Sequence, residues 1–268
     1  MKNLFTFFLD SKIFLSICVF SLALSSQYIL KQYNIYVLTL LFFGTFLSYN
    51  YQRLFFQYIF KEAKINTWFA SNKVIVMLLI AISILIFCYS FLQLQLPTKI
   101  AALVVSAISL LYPLLRRVPF LKIFLIAFSW SFSTLAFTYL ESNLIFDSDF
   151  YFSLLSRTCF ILSITIPFDI RDAKYDMNKI NTIPLSFGVN FSKNLSLIFL
   201  VFYVLIDSCV YYKIFDLNAF FATIFCFLYA FFILKRVREN SDNYFYSFWI
   251  ESCSVSLLFF LIITSILL

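Results

Sequence analysis

No histidine occurs anywhere in the 268 residues, and only two glycines do. The first absence removes the usual general base, and with it Ser/His/Asp hydrolysis. Any chemistry must therefore run on carboxylates, Tyr, Lys and Arg. The second absence rules out GxxxG helix packing, since Gly44 and Gly188 stand far apart, so close helix contacts must use Ala and Ser. The six cysteines stand singly, with no CxxC pair, and read as small apolar packing residues. Charge is scarce too: 12% of residues are charged against 63% apolar and 22% aromatic. A soluble chain of this length would cover itself with charge, whereas this one needs lipid as its solvent.

What is present is a succession of apolar runs long enough to cross a bilayer. Nine candidate helices fall at roughly 13–30, 34–52, 74–92, 98–115, 120–140, 150–168, 194–213, 217–235 and 245–267. The expected fold is a single all-helical transmembrane domain over residues 1–268. The first run has no small-residue cleavage site and reads as a retained helix, not a signal peptide. With the N-terminus inside, sixteen Lys and Arg residues lie on the cytoplasmic side, and only Lys31, Lys99 and Lys213 lie outside. That bias supports an odd number of spans, a cytoplasmic N-terminus and an outside C-terminus. It also accounts for the net charge of +7 through retention and contact with anionic lipid, without a nucleic-acid partner.

Within this oily chain the stretch from Pro167 to Gly188 holds three aspartates. Asp169, Asp172 and Asp176 are spaced i, i+3 and i+7, which on a helix gives a stripe about 60° wide. Three carboxylates on one face repel one another unless a cation sits among them, and hard oxygen ligands at this spacing suit Mg²⁺ carrying a diphosphate. The plainer reading is a solvated loop whose acids are neutralised by the neighbouring Arg171, Lys174 and Lys179.

The string Asp169-Ile-Arg-Asp172-xxx-Asp176, followed by Thr182, Pro184 and Gly188, resembles the second aspartate-rich motif of the UbiA superfamily of membrane prenyltransferases, DIRDxxxDxxxGxxTxPxxxG. Ile180 stands in place of the motif's first glycine, and Thr182, Pro184 and Gly188 each come one residue earlier than that spacing puts them. Tyr112-Pro-Leu-Leu-Arg116-Arg117 is similar to the family's tyrosine and basic pair at the inner end of the fourth span. The resemblance implies a bundle of nine helices with a central cavity open to the cytoplasm, in the inner membrane of a bacterium. The implied activity is transfer of a polyprenyl group from a prenyl diphosphate, held by Mg²⁺, to an aromatic or other lipophilic acceptor such as a quinone precursor. It makes Asp169, Asp172 and Asp176 catalytic, with Asp172 and Asp176 on the metal. Tyr112, Arg116, Arg117, Arg171 and Lys179 then face the diphosphate.

The family's first motif resembles NDxxDxxxD at the inner end of the second span. Aligning Tyr49-Asn50 with its Asn-Asp puts Asn50, Arg53 and Gln57 at the three acidic positions, so every acid is replaced. Two readings follow. In one, Arg53 grips the diphosphate directly while Asp172 and Asp176 keep one Mg²⁺. In the other, Arg53 pairs with Asp172 or Asp176, no metal binds, and the protein is a pseudoenzyme that binds an isoprenoid, lipid or partner protein.

Three charges lie more than a turn inside spans. Arg157 and Asp207 lie at matched depth, about 10 and 9 Å from the outer ends of their helices, which predicts a structural ion pair. Glu251 near the inner end of the ninth span either faces the cavity or snorkels to the surface. A transporter is a third reading, without an internal repeat to support it.

Overall fold

The computed structural model describes residues 2–58, 71–177 and 180–267. Among them every regular element is helical. They are α1 (Lys2–Asp10), α2 (Ile13–Leu30), α3 (Ile35–Tyr58), α4 (Lys73–Gln93), α5 (Leu96–Leu115), α6 (Leu121–Glu141), α7 (Ser148–Asp176), α8 (Ile183–Phe187), α9 (Val189–Lys213), α10 (Leu217–Lys235) and α11 (Glu251–Leu267), the last entered through a π-helical turn at Phe245–Ile250.

Eight of these are long and apolar enough to cross a membrane, and the protein is an integral membrane protein. The ninth expected span is α3. It has 24 residues, about 36 Å at the helical rise, but Ser48, Asn50, Gln52 and Arg53 make its C-terminal half too polar to join the other eight.

Sequence neighbours are largely neighbours in space. Helices α6, α7, α9, α10 and α11 pack in series, α11 returns against α2, and α2 touches both α3 and α6. α5 bridges α3 and α6, whereas α4 lies against α3 with Val74, Leu78, Ile82 and Leu85 exposed towards lipid. The main core lies where α6, α7, α9, α10 and α11 meet, around Phe160, Ile166, Leu200, Tyr203 and Tyr246.

Local chemistry sets the helix that matters most. Asp147 caps α7 by accepting the Phe150 N–H at 2.9 Å, and Asp149 adds negative charge to the same first turn. Pro167 lacks an N–H, so the Ser163 carbonyl one turn earlier loses its helical partner, and the Ser196 hydroxyl of α9 donates to it instead. The helix then continues without a break to Asp176. The three aspartates therefore stand on a helix, not in a loop. Beyond them Gly188 adopts φ 85°, a conformation that L side chains rarely take, and separates α8 from α9.

Candidate functional site

A charged cavity of about 270 Å³ lies between α2, α3, α5, α6, α7 and α11. Five cations line it, Lys12, Arg53, Arg116, Lys122 and Arg171, against the carboxylates of Asp169, Asp172 and Glu251.

The aspartate stripe is internally neutralised. Lys122 Nζ, at the first turn of α6, lies 2.7 Å from Asp169 Oδ1 and 3.4 Å from Asp176 Oδ2. Asp172 is gripped at both oxygens by its neighbour Arg171, at 2.8 and 3.1 Å. That guanidinium is itself held near the rings of Phe168 and Tyr246, at 5.0 and 5.7 Å from their centroids. Arg116 reaches to 3.8 Å of Asp176 and stacks 4.7 Å above the Phe56 ring. Three like charges on one helix face thus persist because a lysine and two arginines sit among them, and the lysine between two carboxylates is almost wholly buried.

The C-terminal half of α3 behaves differently from expectation. Asn50 does not face the cavity: fully buried, its amide donates to the carbonyls of Ser11 at 3.1 Å and Phe46 at 2.9 Å. Arg53 does line the cavity, but it does not pair with Asp172 or Asp176, whose cations come from α5, α6 and α7. It donates instead to the carbonyl of Asp10. The α1–α2 corner, where Lys12 takes a left-handed φ of 74°, leaves backbone carbonyls exposed to α3, and these two side chains satisfy them. The residues that α3 turns to the cavity are Tyr49, Gln52, Arg53 and Phe56.

Of the other expected site residues, Tyr112, Arg116 and Arg171 line the cavity, whereas Arg117 is exposed in the turn after α5 and does not. Asp176 touches the cavity only through Lys122 and Arg116. Lys179 and the Gln57 side chain lie outside the described residues. Glu251 faces the cavity rather than the surface. Lys122 and Lys12 are the residues that sequence reasoning passed over.

Next to the charged cavity lies an apolar one of about 500 Å³ between α2, α3, α4, α5 and α6, lined by residues such as Leu41, Gly44, Phe87, Val105 and Phe137. The two share Tyr49, Gln52, Tyr112, Ile126 and Trp130 as common wall.

The model of the UbiA prenyltransferase family matches residues 70–261. The chain belongs to this family. The matched region begins after α3, so it contains the aspartate stripe and not the C-terminal half of α3. Three solved structures share the UbiA fold at low identity. A UbiA homologue from Aeropyrum pernix K1, without ligand, superposes with a TM-score of 0.72 at 13% identity, over 95% of this chain and 98% of its own. One from Archaeoglobus fulgidus, bound to GPP and Mg²⁺, gives 0.66 at 12% identity, over 96% and 98%. A digeranylgeranylglyceryl phosphate synthase gives 0.62 at 18% over the whole of both chains. No curated protein matches the sequence.

Does this UbiA-family site suit the Mg²⁺ that its Archaeoglobus relative carries? The donor set argues against it. Among the described residues no three carboxylate or thiol side chains gather to hold a metal ion. Each stripe aspartate is already committed to a lysine or arginine, and α3 contributes no acid at all.

Away from this site, the direct ion pair expected between Arg157 and Asp207 does not form. Arg157 donates to the Leu22 carbonyl at 3.0 Å and the Ser26 hydroxyl at 3.1 Å, both on α2. The two buried charges instead share the wall of a separate cavity of about 200 Å³ between α2, α6, α7 and α9. Matched depth was legible, but the reach of the long arginine across to α2 was not.

Proposed function

We propose that this protein binds a polyprenyl diphosphate and transfers its prenyl group to a lipophilic acceptor within the membrane. The observation that carries the reading is the side-by-side arrangement of two cavities, one lined by five cations and one mainly apolar, with five wall residues in common. That is the shape of an amphiphile with a strongly anionic head and a long hydrocarbon tail. Family membership and the GPP held by the Archaeoglobus relative support the same ligand class.

The residues account for the chemistry in outline. Breaking the allylic C–O bond places negative charge on the departing diphosphate, which Lys12, Arg53, Arg116, Lys122 and Arg171 are arranged to stabilise. The apolar cavity holds the tail and keeps water from the allylic cation. A new bond then joins the prenyl carbon to the acceptor, whose proton passes to a carboxylate of the cavity. Glu251 is the candidate base, since among the described residues no lysine or arginine forms an ion pair with it.

A second reading, a noncatalytic isoprenoid-binding protein, is favoured by the saturated stripe and by Asn50 turning from the cavity. Purified protein incubated with labelled prenyl diphosphate and a membrane lipid extract separates the two. Stoichiometric diphosphate release with label in a new lipid supports transfer, while tight binding without release supports the second reading. The expected orientation has the charged cavity open to the cytoplasm of a bacterial inner membrane.

A further inference from the structure

A diphosphate entering the cavity carries negative charge that either metal ions or the protein's own cations must balance. On the alignment that places Asn50, Arg53 and Gln57 at the family's three acidic positions, a formal charge of −3 has become +1. The change of four units equals the charge that two divalent cations would bring. The stripe on α7 tells the same story from the opposite wall. Asp172 has both oxygens engaged by Arg171, and Asp169 and Asp176 share an ammonium whose side chain is 9% exposed.

For a divalent ion to reach Asp169, it would have to displace an ammonium held at 2.7 Å from Asp169 and 3.4 Å from Asp176, and leave a buried lysine beside the incoming cation. Lys122 also has three N–H groups for two carboxylates. The third remains available to an anion entering the cavity that Lys122 lines. Arg116, touching Asp176 only at 3.8 Å, has donors to spare as well.

We propose that the cavity takes an isoprenoid diphosphate without a divalent metal, Lys122 with Arg53 and Arg116 supplying the positive charge that bound metal ions would otherwise supply. This rests on the prenyl diphosphate reading above, and the test keeps the two apart. Full-length protein in detergent is melted with geranyl diphosphate or inorganic pyrophosphate, in EDTA and then in millimolar Mg²⁺. The expected result is a rise in Tm with geranyl diphosphate in EDTA, with an affinity that changes less than about twofold in Mg²⁺. Inorganic pyrophosphate should act more weakly, because the tail cavity stays empty.

Two variants locate the effect. The charge-balanced Lys122→Met/Asp169→Asn double variant should weaken binding in EDTA about tenfold or more, the value of a charge-assisted contact, with no rescue by Mg²⁺. Arg116→Gln, at a half-buried position that touches Asp176 only at 3.8 Å and leaves Lys122 in place, should weaken it comparably and keeps the test open if the double variant does not fold. Stabilisation that requires Mg²⁺ overturns this inference while the diphosphate reading stands. No stabilisation under either condition overturns both.

Discussion

Removing Lys122 is the perturbation on which the architecture of the site depends most sharply. A Lys122→Met change keeps the volume of the side chain and deletes its charge, stranding two carboxylates whose side chains are 4% and 7% exposed. Arg116 stays near Asp176 at 3.8 Å, so most of the loss falls on Asp169, which lies 2.7 Å from the deleted ammonium. Deleting one partner of a buried pair costs roughly 3–5 kcal/mol, and Arg116 places this case towards the lower end. Asp169→Asn alone should cost less, about 1–2 kcal/mol, because Lys122 keeps Asp176 as its partner. In the double variant neither an unpaired ammonium nor an unpaired Asp169 remains. Its loss should fall about 2 kcal/mol short of the sum of the singles. Reversible unfolding in mixed micelles, followed by circular dichroism, gives all three numbers. Additivity within about 0.5 kcal/mol, or a Lys122→Met cost below 1 kcal/mol, would refute the neutralised stripe.

Asn50→Asp restores an acid to the first-motif alignment, yet the side chain donates to the Ser11 carbonyl of the α1–α2 corner and to the Phe46 carbonyl one turn back on α3. It should destabilise the protein by about 3 kcal/mol or more and confer no Mg²⁺-dependent shift in Tm; such a shift would show that position 50 faces the cavity. Arg157→Met and Asp207→Asn should each destabilise, but with a coupling below about 1 kcal/mol, since the groups share a cavity without touching. A larger coupling in the double-mutant cycle would restore the direct ion pair. Ser196→Ala should cost about 1 kcal/mol by leaving the Ser163 carbonyl before Pro167 unpaired, read from the same unfolding curves. Single cysteines introduced at Asn240 and Asp147, in a background free of the native ones, should label from the cytoplasmic and outer sides respectively; the opposite pattern would invert the topology.

The spans were legible because hydropathy over twenty residues is a property of the chain alone. The stripe was legible because i, i+3 and i+7 fall on one face whatever packs against it, and α7 proved helical through Asp176. Lys122 was not legible. A single lysine at the start of a span reads as a topology signal, and only the packing of α6 on α7 carries its ammonium between Asp169 and Asp176. Asn50 failed for a related reason. Helical periodicity puts Asn50 and Arg53 on neighbouring faces, but which face meets the cavity depends on how α3 rotates against the α1–α2 corner. The backbone carbonyls of that corner, presented by a left-handed lysine, set the rotation, and no side-chain pattern announces them.

The central claim, an anionic head among the cations and an isoprenoid tail in the adjoining apolar cavity, is met most directly by photolabelling. A prenyl diphosphate carrying a photoreactive group near the end of its tail is bound in EDTA, irradiated, and the labelled peptides are sequenced. The account predicts label on α3 between Leu40 and Ser48 and on α5 between Ala102 and Ser109, competed away by unlabelled geranyl diphosphate. Label confined to the lipid-facing surface of α4, or to the outer cavity beside Arg157 and Asp207, would contradict it.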